Sequence, residues 1–237
     1  MNDSLHMAAS GMTAITRLLE ASARNAANAR TPGYMSRLVT TRSFATEMDR
    51  VLGRDPRFLQ STEQTSFKRG TMVPSDDPLH VALDGPGFLT VQGPDGIHYT
   101  RNGSLRLTPD GTLSTHGGYA VIGEAGPIRA ELSAGNNVRI ANDGRVYQGN
   151  LEIGKLQLTE FAQAKYLRRT GDTLFSAPEA AQARRATETD IAPQHLELPA
   201  EKSIVSMVNM IEASKSFEAQ QRVIRTIAQS YEQLIRQ

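Results

Sequence analysis

The sequence predicts an α+β chain in which a long helix at each terminus, the two forming a coiled-coil-like pair, brackets an all-β domain. Three observations predict it. Near the N-terminus, Leu5, Met12, Leu19 and Ala26 recur every seven residues, with Ala8, Ile15 and Ser22 between them. Near the C-terminus, Met210, Phe217, Ile224 and Tyr231 repeat the pattern, joined by Met207, Ser214, Ala228 and Ile235. Between the two, glycine-containing turn signals arrive at short intervals and separate short apolar runs. A sustained 3.5-residue repeat leaves water only against a partner helix, although an ordinary amphipathic helix packed on the middle domain shows the same spacing.

The first helix is expected from Ser4, a suitable N-cap, to Ala29, after which Thr31-Pro32-Gly33-Tyr34 stops it. Pro32 pushes Thr31 out of the α region and Gly33 supplies a permissive backbone. Residues 35–66 carry weak periodicity, many Arg, Ser and Thr, and read as an extended connector. From Phe67 the turn signals begin: Asp84-Gly85-Pro86-Gly87, Pro94-Asp95-Gly96, Asn102-Gly103, Pro109-Asp110-Gly111, Gly117-Gly118 and Asn142-Asp143-Gly144. Asp or Asn before Gly suits turns that need positive φ, so these read as hairpin connections in a barrel or sandwich. Strands are expected at Phe88–Val91, Ser104–Leu107, Val138–Ala141, Arg145–Tyr147, Ile153–Phe161 and Thr173–Phe175. Residues 177–202, rich in Ala, Glu, Gln and Pro, read as a return linker. The last helix occupies 203–237 without a Gly or Pro breaker, a length that ordinarily means packing against another helix. The organisation expected is thus 1–34 helix and turn, 35–66 connector, 67–176 β domain, 177–202 linker and 203–237 helix.

Composition excludes several classes. Basic and acidic residues nearly balance, 26 against 25, so the chain carries no electrostatic footprint for nucleic acid. Tryptophan is absent and aromatic content is 5%, which leaves no base-stacking platform. Cysteine is absent, so there is no disulfide, thiolate metal site or cysteine nucleophile. No apolar run approaches the ~20 residues that span a bilayer, and direct membrane insertion is not expected. Asn2, Asp3, His6, Thr13 and Arg17 interrupt any signal-peptide apolar stretch, so export without a cleaved Sec signal is the expectation.

No catalytic constellation emerges. His6, His80, His98, His116 and His195 are scattered with no metal-ligand spacing, and neither a metal nor a cofactor is expected. Asp76, Asp77 and Asp84 sit beside Pro78, Gly85 and Pro86, where turn chemistry explains them. Gly85-Pro86-Gly87 lacks the Gly-Lys-Thr/Ser continuation of a phosphate loop, and no Gly-x-Ser-x-Gly elbow occurs.

Several segments together resemble one family, the flagellar rod and hook axial proteins. Ala9-Ser10-Gly11-Met12 through Asn25-Ala26-Ala27-Asn28-Ala29-Arg30-Thr31-Pro32-Gly33-Tyr34 resembles its N-terminal signature. The run from Phe67 to Ile128, with its Leu-x-Val-Ala-like and Tyr-Thr-Arg-Asn-Gly-Ser elements, resembles the start of its β domain. Met207-Val208-Asn209-Met210-Ile211-Glu212-Ala213 followed by Phe217-Glu218-Ala219 resembles its last helix. Length and the segment Val121–Ile128 are most similar to the proximal rod branch, while His80, Leu89, Met35 and Ser203-Ile204-Val205 depart from the family pattern. The resemblance implies terminal helices packed with those of neighbouring copies and other rod proteins into a periplasmic tube, with the β domain outside. It also implies delivery by the flagellar type III export apparatus. The seam is then expected at Leu5, Met12, Ile15, Leu19, Met210, Phe217, Ile224 and Tyr231, and the turn out of the tube at Asn25, Asn28, Pro32 and Gly33. The alternatives are a distal rod or hook subunit of the same family, or a secreted β-domain that binds or cleaves glycan and dimerises through its helices. A glycan-cleaving domain predicts a cleft with paired carboxylates.

Overall fold

A computed structural model describes residues 2–44, 58–131 and 137–235, with side chains except at 2–8, 42–44, 58–60, 227 and 230–235. The chain divides into two compact units, one of Met1–Ala27, Ser36–Ser66 and Glu201–Gln237, the other of Asn28–Met35 and Phe67–Ala200.

In the first unit, the alanine-rich N-terminal segment forms α1 (Asn2–Ala27), and the breaker-free C-terminal segment forms α2 (Ser203–Ile235). Between them in sequence, β1 (Arg37–Phe44) and β2 (Phe58–Thr65) pair antiparallel from Arg37↔Thr65 to Phe44↔Phe58. Helix α1 contacts α2 and both strands of this ribbon. The residues it buries are small: Gly11, Ala14, Ala21, Ser22 and Asn25. Side chains of this size let neighbouring backbones approach closely. On α2 the covered positions include Ser206, Met210, Ala213, Phe217, Gln220 and Ile224, an alternation of four and three, with Asn209, Ser214 and Gln221 half-buried beside them. The Arg17 guanidinium donates to the backbone oxygen and hydroxyl of Ser61, fixing the ribbon to α1.

The ribbon lies where the sequence suggests only an extended connector. Its strands, RLVTTRSF and FLQSTEQT, lack the apolar alternation that marks a half-buried strand. Cross-strand pairing and the small face of α1 stabilise them instead, and neither is visible in a local window.

The second unit is β throughout its described residues apart from short 3-10 turns at Ala164–Tyr166 and Glu179–Ala181. Its strands in chain order begin with β3 (Thr71–Pro74), β4 (Val81–Asp84), β5 (Phe88–Gly93), β6 (Gly96–Thr100), β7 (Leu105–Leu107) and β8 (Leu113–Thr115). They continue with β9 (Ala120–Gly123), β10 (Gly126–Pro127), β11 (Val138–Ile140), β12 (Arg145–Gln148), β13 (Leu151–Lys155) and β14 (Leu158–Phe161). The last are β15 (Arg168–Arg169), β16 (Leu174–Ser176), β17 (Ala183–Arg185), β18 (Asp190–Pro193) and β19 (His195–Leu198). The main sheet runs β15-β16-β6-β5-β9-β8-β7, with β14 beside β9 on the same edge of β5, β17 on β14 and β10 on β9. A β11-β12-β13 meander and the pairs β18-β4 and β19-β3 complete it, all antiparallel.

Strand β5 organises the core. Leu89 and Val91 point into an aliphatic cluster with Val81, Leu83, Leu105, Leu113 and Val121. Phe88, on the opposite face, enters an aromatic cluster with Phe161 and Phe175, flanked by Phe67 and Tyr99. Both faces of β5 are therefore buried, which is why Phe88-Leu89-Thr90-Val91 reads as a run rather than an alternation. The rings meet edge-on, Tyr99 and Phe161 at 4.8 Å and Phe88 and Phe161 at 5.5 Å between centroids.

Three strands fall in the span that composition suggests is a return linker. Strand β18 carries Ile191 into the aliphatic core opposite Leu83, and β19 brings Glu197 opposite Met72. Such short polar strands form because β4 and β3 offer open edges, a tertiary fact absent from their own composition.

Candidate assembly interface

Of the expected seam residues, Met12, Ile15 and Leu19 on α1 and Met210, Phe217 and Ile224 on α2 are each half-buried within the first unit. Leu5 and Tyr231 lie on described helical backbone, but their side chains lie outside the described set. On α1 the large apolar residues flank the buried face; its centre is the row of small residues, which the search for large apolar side chains passed over. A count of Gly, Ala and Ser at spacings of three, four and seven would have found them. On α2 the expected companions Met207 and Ala228 are exposed, and Ser206, Ala213 and Gln220 take their place.

The start of α2 is apolar on two faces. Ile204, Val205, Met207, Val208 and Ile211 are 68, 46, 48, 48 and 53% exposed, within the same turns whose Ser206 and Ala213 are buried. At about 100° per residue, Ile204, Val208 and Ile211 form one stripe roughly opposite Ser206, Met210 and Ala213. A helix apolar on opposite sides is built for apolar neighbours on both. No helix among the described residues is long and apolar enough to cross a membrane.

The turn residues divide between the units. Asn25, buried at the end of α1, uses its side-chain amide as a strand would: Oδ1 accepts from Arg37 N–H and Nδ2 donates to Arg37 O, both at 2.9 Å. Nδ2 also lies 3.2 Å from Glu201 Oε2, which ties the end of α1 to the approach to α2. Asn28 belongs to the second unit and closes a turn in which Thr31 N–H donates to its backbone oxygen and Thr31 Oγ1 to its side-chain oxygen. Pro32 is half-buried and leads into Gly33 at φ +67°. A Cβ on Gly33 would stand 2.2 Å from Asn102 N and 2.3 Å from Arg101 C, so the turn lies directly on the β-unit backbone. The buried Tyr34 ring receives the Arg169 guanidinium at 5.2 Å, and Arg169 donates to Met35 O. More than a helix stop, this segment is docked.

Its docking site contains the residue that gives meaning to the Tyr-Thr-Arg-Asn-Gly-Ser element. Arg101 is 3% exposed, and all five of its N–H donors have acceptors. Nε and Nη2 meet Glu197 Oε2 at 2.8 and 2.7 Å, Nη1 donates to Gly85 O and Gly87 O, and Nη2 to Leu83 O. Neither Arg101 nor Glu197 stood out in the sequence as buried; the signal available was an arginine within a turn motif and a glutamate between two leucines.

His80, one of the departures from the family pattern, joins two loops: its Nδ1 lies 2.7 Å from Ser75 Oγ and its Nε2 3.1 Å from Ser104 Oγ. The nearest carboxylate, Asp77, lies 3.8 Å from the same Nε2, so it does not orient the opposite nitrogen as a hydrolytic triad requires. A cleft of about 390 Å³ in the β unit is lined by Tyr99, Leu158, Thr159, Arg184 and Arg185 with one carboxylate, Glu124. Burial opposes that charge, but Lys155 and Arg185 outweigh it and hold the pKa of Glu124 below its ordinary value. One ion-paired carboxylate is not the flanking pair of glycan cleavage.

Comparison with known proteins agrees with this geometry. Residues 82–148 match the flagellar hook protein FlgE/F/G D1 domain, and residues 202–237 match the C-terminal model of flagellar basal body rod FlgEFG proteins. The chain is 32% identical to the flagellar basal-body rod protein FlgF of Salmonella typhimurium and 33% identical to that of Escherichia coli, covering 86% of each chain in both cases. The flagellar basal-body rod protein FlgG of Agrobacterium fabrum is 28% identical over 94% of both chains. The secreted glycan-cleaving alternative finds no support among these relatives. With relatives this similar along most of its length, the chain belongs to the flagellar basal-body rod protein family, a structural and not an enzymatic one.

Proposed function

We propose that this chain is a structural subunit that assembles helically into the basal-body rod and transmits torque, in contact with copies of itself and with other rod proteins. The reading rests on the two-sided start of α2: one stripe is covered inside the subunit and the opposite one, Ile204, Val208 and Ile211, faces water. In this reading α1 and α2 pair in a coiled-coil-like way. The half-buried Met12, Ile15, Leu19, Met210, Phe217 and Ile224, together with Leu5 and Tyr231, then complete their burial against neighbours. A heterologous contact of this kind, repeated, gives an open helical array and not a closed ring. The Asn25, Asn28, Pro32 and Gly33 segment marks where the chain leaves the tube. The segment Val121–Ile128 favours the proximal rod, and membership of the rod family favours delivery by the flagellar type III export apparatus.

The test is Ile211→Asp beside Phe217→Asp in cells lacking the native copy. Both should abolish rods and motility while the β unit of the purified full-length variant keeps its melting transition. Normal rods in Ile211→Asp cells would refute the outward stripe as an interface.

A further inference from the structure

The chain passes into or out of the β unit at four places, 27/28, 35/36, 66/67 and 200/201, which leave three entry segments in that unit: 28–35, the stretch that starts at Phe67 and the stretch that ends at Ala200. All three are tied to one residue inside that unit. Within the first, Gly33 N–H donates to Glu197 O at 2.8 Å. Within the second, Gly70 N–H donates to Glu197 Oε1 at 2.8 Å. Within the third, Glu197 itself sits on β19, with its side chain 3% exposed. The remaining oxygen, Oε2, takes Arg101, whose other donors reach Leu83 O on β4 and Gly85 O and Gly87 O on the β4–β5 connection. Arg169 holds the first segment from another side through Met35 O and the Tyr34 ring, and its guanidinium also lies 4.9 Å from the Phe175 ring centroid in the aromatic core.

A buried ion pair is a poor way to gain stability, because desolvation consumes most of its attraction and a well-packed apolar pair does as well. What Arg101 and Glu197 supply that apolar residues cannot is direction: Arg101 fixes three backbone oxygens between Leu83 and Gly87, Glu197 Oε1 fixes the backbone N–H of Gly70, and the ion pair ties the two together. We propose that Arg101 and Glu197 are positioning residues of a force-bearing joint, which shares load entering through any one of these three segments among them all and passes it to the β core. This rests on the torque-transmitting reading above, and goes beyond it by naming the residues that carry the load.

The test uses Glu197→Gln and Arg101→Lys in the full chain, with Val91→Ala, a buried core position whose side chain makes none of the joint's hydrogen bonds, as the comparison. Glutamine presents an N–H₂ group where two oxygens accepted, and lysine has three donors for the acceptors that arginine reaches with five. In purified protein, hydrogen–deuterium exchange at the segments holding Gly33 and Gly70 should accelerate at least tenfold in both joint variants and stay unchanged in Val91→Ala. In cells, rods should form, swimming in dilute medium should persist, and swimming in viscous medium should fail only for the joint variants. Unchanged exchange at Gly33 and Gly70, or equal viscous-load defects in Val91→Ala, would overturn the joint. If exchange accelerates as expected but the wild-type chain fails to restore rods to cells lacking it, the rod reading falls and the joint stands as a property of the fold.

Discussion

Replacing Gly33 by alanine tests whether the Thr-Pro-Gly-Tyr segment is a generic helix stop or a docked one. Two costs are expected. The left-handed backbone, φ +67°, disfavours any side chain by about 1–2 kcal/mol. The new methyl would also stand 2.2 Å from Asn102 N and 2.3 Å from Arg101 C, both backbone atoms that cannot rotate away. Relief means lifting the turn, and the hydrogen bond from Gly33 N–H to Glu197 O is lost with it, a further cost of about 1 kcal/mol. The sum is about 2–3 kcal/mol. Gly149 provides the control, since it has nearly the same φ, +60°, and nothing within 4 Å of its Cβ position. Gly149→Ala should therefore cost only the backbone share, about 1–2 kcal/mol. Urea unfolding followed by tyrosine emission reads mainly the β unit, because Tyr34, Tyr99, Tyr119, Tyr147 and Tyr166, five of the six tyrosines, lie in it and the chain has no tryptophan. Equal midpoint shifts for the two variants would show that Gly33 needs only its φ and that the contact with Asn102 is not rigid.

Three further outcomes are expected. Burial opposes ionisation of Glu160, but Glu188 N–H, the Thr189 hydroxyl, Thr187 N–H and Arg184 outweigh it and hold its pKa below the ordinary 4.5. A folded-state pKa below the unfolded one means the contribution is full above about pH 4.5 and is lost as pH falls through the folded value. Glu160→Gln should thus cost about 1–3 kcal/mol at neutral pH, with the gap to wild type closing on acidification; a gap independent of pH in thermal melts would refute the role of the charge. Phe175→Ala, at a fully buried ring, should cost about 3–5 kcal/mol and lower the melting midpoint, whereas an unchanged midpoint would deny the aromatic cluster its place in the core. Ala213→Leu adds bulk at a position 1% exposed and should cost about 1–3 kcal/mol by overpacking, read as a loss of helical circular dichroism at lower temperature; a variant as stable as wild type would mean that this face of α2 is not closely packed.

The two terminal helices were legible because a breaker-free or alanine-rich run with heptad spacing carries its own signal, residue by residue. So were the hairpins of the β unit, since Asp-Gly and Asn-Gly pairs encode positive φ locally. The family was legible as well, from motifs whose order survives even where single residues such as His80 and Leu89 depart. Tertiary structure alone decided which faces of the helices are covered: Gly11, Ala14, Ala21 and Ser22 on α1 are buried for being small, a property that matters only when another backbone comes close. It decided that β1 and β2 pair, and that β17, β18 and β19 exist, because a polar strand forms when an open edge is offered and its own residues do not reveal the offer. It also decided that Arg101 and Glu197, 96 positions apart, share the interior with every donor matched. Local pattern determines which elements a segment can form; burial, close approach and ion pairing belong to pairs of segments, and only the folded chain brings those pairs together.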